Sequence, residues 1–223
     1  MSILQGKKIL IVEDDPPTLD MIAEVLEVEG VSATGAYNGV EALAILETNS
    51  FDIILSDLMM PMVSGIDLCR EIKAKSIAAP VIIFTGNVNY ELAVAAMKAG
   101  AIDFKLKPFV WDDFKKAIRK ALQYIPPQKQ EKPDHHISEE GSPYNKTTPV
   151  ELTLHEYYED GTLLVEWQYK NRKKDGISRL YNRMGRLIAD AMYKDDVIVE
   201  CKWFADKVDT QTVQTLNEEE KIN

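Results

Sequence analysis

Short apolar runs recur along the first half of the chain, and between them apolar residues return every three or four positions. The runs are KKILIV (7–12), VSATGAY (31–37), FDIILS (51–56), PVIIFT (80–85) and AIDFKL (101–106). Continuous apolar runs of this length suit strands covered on both faces, as in a parallel sheet. Between positions 18 and 29, Leu19, Ile22, Ala23, Val25 and Leu26 fall on one side of a helical period. Asn38 and Asn87 are the expected N-caps of the second and fourth helices, and Gly30 and Gly100 the expected stops. A fifth helix is expected from about 110 to 123, ending before Pro126-Pro127. Five strand–helix units imply a doubly wound α/β domain, a five-stranded parallel sheet over residues 1–125.

The pattern then changes twice. Residues 126–149 hold Pro126, Pro127, Pro133, Pro143 and Pro149 among polar residues, the composition of a linker. His135-His136 lies there without Cys or carboxylate at ligand spacing, so it reads as linker and not as a metal site. Residues 150–205 carry a repeat of 24 positions: 157–180 aligns without gaps on 181–204, matching Tyr157 with Tyr181, Gly161 with Gly185 and Leu163 with Leu187. Leu163, Val165, Trp167 and Tyr169 alternate with polar or mixed positions, the period of a half-buried strand. Asp160-Gly161 and Asp175-Gly176 are expected hairpin turns. A small antiparallel β domain of about five strands, beginning near Glu151, follows from this. Residues 206–223 read as a polar tail.

Charge narrows the possible partners. The 223 residues carry a formal net charge of −10. Lys and Arg against Asp and Glu number 12 to 17 in residues 1–125, 3 to 4 in 126–149 and 11 to 15 in 150–223. No segment is basic, which argues against a nonspecific polyanion binder. No apolar run reaches the roughly 20 residues of a membrane span, and the start lacks a signal-peptide pattern. With only Cys69 and Cys201, far apart in sequence, no disulfide framework is expected, and the cytoplasm is the default compartment.

The chemistry sits at the expected carboxyl ends of four strands. The first runs into Glu13-Asp14-Asp15, the third into Asp57, the fourth ends at Thr85 and the fifth at Lys107-Pro108. In a doubly wound sheet these ends form the ligand crevice. Converging carboxylates raise one another's pKa unless a cation sits among them, and hard oxygen ligands favour magnesium. Carboxylates, a metal, a lysine and a hydroxyl together suit phosphoryl transfer.

These residues resemble the receiver domain of response regulators over nearly all of residues 5–125. ILIVEDDP is similar to that family's first strand and acidic pair, and Asp57-Leu58-Met59-Met60-Pro61-Met62-Val63-Ser64-Gly65 to its phosphoacceptor segment. The resemblance implies that Asp57 accepts the phosphoryl group from a histidine kinase or phosphotransfer protein. It implies that Asp14 binds Mg2+ directly, Glu13 through water, and that Asp57 and the Met59 backbone carbonyl complete the protein's share of the shell. Thr85 becomes the switch hydroxyl, Lys107 the phosphoryl-binding lysine, Phe104 the switch aromatic, and the bond before Pro108 a cis peptide. The connection from Asp57 to Thr85 is slightly short for the family. No classical enzyme is implied beyond the protein's own phosphorylation and slow dephosphorylation.

The second half offers no comparable chemistry. A helix-turn-helix requires three helices where the sequence has period 2. Lys170, Arg172, Lys173 and Lys174 coincide with an expected turn, and His155 is a strand residue with no nucleophile beside it. Trp167, Tyr169, Tyr193, Trp203 and Phe204 read as sheet core before they read as a binding face. The Tyr-x-x-x-Gly-x-Leu and Tyr-Lys elements resemble degenerate MORN-type repeats, which implies an interaction platform. The expected output is thus a non-DNA-binding module with an unnamed protein partner, and a second copy of the chain is left open. The alternative is a transcriptional regulator with an unusual DNA-binding output. A membrane-recruited regulator is a third reading, resting only on the repeat family's association with lipids.

Overall fold

The computed structural model describes residues 3–87, 89–124 and 151–204, divided into two units. In the first, strands and helices alternate: β1 (Lys8–Val12), α1 (Pro16–Glu27), β2 (Ser32–Ala36), α2 (Gly39–Thr48), β3 (Ile53–Asp57), α3 (Gly65–Ala74), β4 (Val81–Thr85), α4 (Tyr90–Ala99), β5 (Asp103–Leu106) and α5 (Trp111–Gln123). All five strands are parallel, in the order β2-β1-β3-β4-β5. This is the flavodoxin-like arrangement, with the order reversing beside β1 and β3.

The three central strands are mostly apolar because both faces are covered. At the sheet edges, β2 (SATGA) is largely uncovered, against the expectation for its run, and β5 carries the buried pair Asp103 and Lys105. Ile9, Ile11, Ile53, Leu55, Ile82 and Phe84 pack with Leu19, Ile22 and Leu26 of α1 and with Phe114 and Ile118 of α5. Leu10, Ile54 and Ile83, of opposite parity, are also fully buried. Each such side chain contributes about 1.5–3 kcal/mol on leaving water. The helices start where polar side chains can take up free amides. Asp15 caps α1 by accepting from the Thr18 N–H (3.0 Å), Asn38 caps α2 from Glu41 (2.9 Å), and Ser64 caps α3 from Asp67 (3.2 Å). The cap of α4 is Asn89, accepting from Leu92 at 3.0 Å, and not Asn87, whose own N–H turns to the Thr85 hydroxyl. Gly100 closes α4 at φ 125°, whereas α1 closes at Val28, two residues before Gly30. The ten-residue α3 lies within the connection between Asp57 and Thr85.

The second unit is an antiparallel sheet of six strands, one more than expected: β6 (Glu151–Tyr157), β7 (Leu163–Lys170), β8 (Lys173–Lys174), β9 (Gly176–Tyr181), β10 (Leu187–Lys194) and β11 (Val197–Trp203). Its order is β11-β10-β9-β7-β6, with β8 also paired to β7. β8 and β9 both run antiparallel to β7, so the chain does not reverse at Asp175-Gly176. Gly176, at φ 113°, instead marks a break along one continuous edge, where a Cβ would strike the Gln168 side chain. The reversal is at Asn171-Arg172, with φ of 52° and 70°.

The sequence repeat is visible in the backbone. β7 and β10 have identical lengths at the 24-residue offset. The Asn171-Arg172 turn recurs as Asp195-Asp196, at φ of 49° and 71°. The turn bond from Tyr158 N–H to Thr162 O (2.8 Å) recurs from Asn182 to Arg186 (2.8 Å). Even an ion pair repeats: Lys170 with Glu151 at 3.0 Å, Lys194 with Asp175 at 2.8 Å. Trp167 and Tyr193 are buried edge to face with centroids 6.1 Å apart, the core reading expected of them. Tyr169, Trp203 and Phe204 are only partly buried. His155 stands in β6 opposite Glu166, 3.4 Å away. Neither cysteine forms a disulfide among the described residues. Among the described residues no helix is long and apolar enough to cross a membrane. The expected linker at 126–149, with His135-His136, and the tail at 206–223 lie outside the described residues.

Candidate functional site

Parallel registration brings the ends of four strands to one rim. Val12 pairs with Ser56, Asp57 with Phe84, and Thr85 with Leu106. The residues following β1 and β5, Glu13-Asp14 and Lys107, therefore meet Asp57 and Thr85. Oxygens of Glu13, Asp14 and Asp57 lie within 4.8 Å of one another. Glu13 and Asp57 are buried, while Asp14 is exposed at the mouth. Asp15, the third acid of the run, is occupied as the cap of α1, where it also accepts from the Thr18 hydroxyl at 2.6 Å. The three clustered carboxylates are hard oxygen donors, the donor set that suits magnesium.

One cation closes the cluster. The Lys107 ammonium lies 2.6 Å from Glu13 Oε2 and 3.7 Å from Asp57 Oδ2. It also sits 5.0 Å from the centroid of the Phe84 ring, a contact not singled out by the sequence. The Lys107–Pro108 peptide is cis. Backbone amides hold Asp57: the Leu58 N–H donates to Oδ1 at 2.8 Å, and Met59 also donates to the carboxylate. Gly65 packs so closely on the Asp57 carbonyl oxygen that a Cβ would collide with it. The Thr85 hydroxyl, buried, accepts the Asn87 N–H at 3.1 Å. Phe104 is buried as well. Met59 and Met62 are exposed beside the site, Met62 at φ 66°.

Burial sets the electrostatics. Desolvation pushes the Asp57 carboxyl above its ordinary range; the Lys107 charge and the Leu58 and Met59 amides oppose this, and the Asp14 charge adds to it. Burial likewise raises Glu13, against the Lys107 hydrogen bond and charge, with Asp57 adding to the rise. Repulsion between carboxylates was expected to raise a pKa, and it contributes, but burial is the larger cause. The site is thus short of positive charge in the bare protein, a condition a divalent cation would relieve.

Residues 9–119 match the family model of the response regulator receiver domain. The transcriptional regulatory protein ZraR of Salmonella typhimurium (strain LT2) is 37% identical over 123 residues, which is 55% of this chain and 28% of ZraR. The response regulator MprA of Mycobacterium sp. (strain KMS) is 32% identical over 120 residues, 54% of this chain and 52% of MprA. The crystal structure of FixJ-N aligns with a TM-score of 0.51 at 32% identity, covering 54% of this chain and 97% of that one. The chain belongs to the response regulator receiver family through its first half. It spans about a quarter of ZraR, at 28%, and about half of MprA, at 52%.

Proposed function

We propose that the chain is a two-component response regulator in which Asp57 accepts a phosphoryl group and the C-terminal sheet delivers the response through a protein partner. The observation that carries the first part is the meeting of Glu13, Asp14 and Asp57 within 4.8 Å, with Lys107 bridging two of them. An Asp57 oxygen attacks the phosphorus of a phosphohistidine on a histidine kinase or phosphotransfer protein. The new P–O bond forms as the P–N bond breaks and the imidazole leaves. Glu13, Asp14, Asp57 and the Met59 carbonyl would hold Mg2+, which supplies neutralisation of charge on the transferring oxygens. Lys107 moves from Glu13 toward a phosphoryl oxygen, and the Thr85 hydroxyl exchanges the Asn87 amide for a bond donated to another. Phe104, buried in this state, fills the space Thr85 vacates and couples the site to the surface.

The output is read as an interaction module of MORN type, and phosphorylation releases or reorients it. Three features support this over an enzyme: the 24-residue structural repeat, the acidic balance, and the absence of a nucleophile–base pair beside His155 among the described residues. Residues 151–204 are strands and turns, without the helices of a helix-turn-helix. The competing reading, a transcriptional regulator, draws on ZraR, which is named as one. The cytoplasm is the compartment in which a histidine kinase would reach the site.

Incubation with acetyl phosphate and Mg2+ tests the phosphoacceptor: wild type should take up phosphate, and Asp57→Ala or added EDTA should abolish uptake. Filter binding of full-length protein to random and genomic DNA, with and without beryllofluoride, tests the output. Salt-sensitive binding enhanced by the mimic would replace the protein-interaction reading by the transcriptional one.

A further inference from the structure

We propose that Phe84 is a positioning residue for Lys107: its ring face carries the ammonium between Glu13 and Asp57. The inference rests on the phosphoacceptor reading of the site and deepens it. The ammonium has three neighbours at once, Glu13 at 2.6 Å, Asp57 at 3.7 Å and the Phe84 centroid at 5.0 Å. A lysine stem has several free rotors, so holding its head at one place costs entropy unless contacts define that place. Glu13 alone would draw the head away from Asp57. The ring acts from a third direction, within the range where an aromatic quadrupole attracts a cation.

The ring cannot turn aside. Phe84 is fully buried and meets Phe109 at 5.6 Å and 77°, and Phe114 at 6.2 Å and 87°, while Phe109 stacks on Phe114 at 4.3 Å. Its backbone is pinned as well: it pairs with Asp57 on one side and Lys105 on the other, and its carbonyl accepts the Leu58 N–H at 3.2 Å. One residue thus fixes both the strand that carries the acceptor and the plane under the lysine. A π face, unlike a hydrogen-bond acceptor, attracts a cation over a broad area. The ammonium can therefore pass from Glu13 to a phosphoryl oxygen without losing this contact.

Fluorination of the ring tests this, because it weakens the π face with little change in volume. Position 84 is replaced in the full-length protein by mono-, di- and trifluorophenylalanine, with the same series at Phe114 as a packing control. Initial rates of phosphoryl uptake from acetyl phosphate with Mg2+ are measured, together with the NMR shift of the Lys107 side chain. The expected result is a stepwise fall of about twofold to tenfold across the Phe84 series, a parallel loss of ring-current shift at Lys107, and no gradient in the Phe114 series. A flat Phe84 series, or equal gradients at both positions, would overturn the proposal. A wild type that takes up no phosphate would instead overturn the phosphoacceptor reading, and the Lys107 shift would still report whether the contact exists.

Discussion

Lys107 hydrogen-bonds Glu13 and reaches Asp57 only as a longer ion pair: its ammonium is 2.6 Å from the first carboxylate and 3.7 Å from the second. Glu13 is buried, so removing the lysine strands a buried acid. Lys107→Ala should destabilise the metal-free protein by roughly 2–4 kcal/mol, and clearly less when Glu13→Gln is already present. Thermal unfolding of both single variants and the double variant measures this coupling. Equal losses in the two backgrounds would show that the pair is not the cause. The same Lys107→Ala protein should still accept phosphate, more slowly, but no longer pass the change to the amides of α4 and β5, which NMR reads.

Asp57 makes the bare protein pH-sensitive in a direction opposite to a paired surface acid. Its folded pKa is raised above the ordinary 3.8, so the folded state holds a proton that the unfolded state has released. Stability then falls as pH rises from 3.8 through the raised folded value, and stays reduced above it. Asp57→Asn removes this loss. In EDTA its unfolding free energy should match wild type at low pH and exceed it near neutrality, by about 1.4 kcal/mol for each pKa unit of elevation. A difference that shrinks with rising pH would contradict the assignment of burial as the dominant cause.

Gly65 faces the Asp57 carbonyl with no room for a side chain, and its N–H donates to Leu58 O at 3.0 Å. Gly65→Ala should cost about 1–3 kcal/mol by overpacking and slow phosphoryl uptake by displacing the acceptor loop. Urea unfolding and uptake rate on the same preparation test both. A stable variant with normal uptake would mean that the loop yields freely.

In the β unit, Arg172 and Asp196 occupy equivalent left-handed turn positions, at φ of 70° and 71°. Among the described residues only Asp196 has a compensating side-chain bond there, accepting the Lys174 N–H at 2.8 Å. Arg172→Gly should therefore stabilise the β7–β8 turn by about 0.5–1 kcal/mol, whereas Asp196→Gly should bring no gain. Hydrogen exchange along β7 and β10 separates the two outcomes.

Much of the receiver was legible because a buried parallel strand must be apolar on both faces, and the residue that follows it is placed by the sheet. Asp57, Thr85 and the acids after Val12 could be located that way. The cap of α4 could not: Asn87 and Asn89 both precede Tyr90, and only the helix start decides which side chain reaches the Leu92 amide. Asp175-Gly176 misled because glycine at positive φ serves a turn and a strand irregularity alike. The better signal was Asn171, 24 residues before Asp195 in the repeat, since Asn and Asp tolerate left-handed backbone. Phe84 read only as a core residue, because a ring beneath a cation is a property of two distant positions and leaves no local pattern.

The most direct measurement is the site of the phosphoryl group. Full-length protein is incubated with acetyl phosphate and Mg2+, reduced with borohydride to convert any aspartyl phosphate to homoserine, and sequenced by mass spectrometry. Homoserine is expected at position 57 alone, and is absent from an EDTA control. Homoserine at another aspartate, or its absence in a sample that has demonstrably taken up phosphate, would contradict Asp57 as the acceptor.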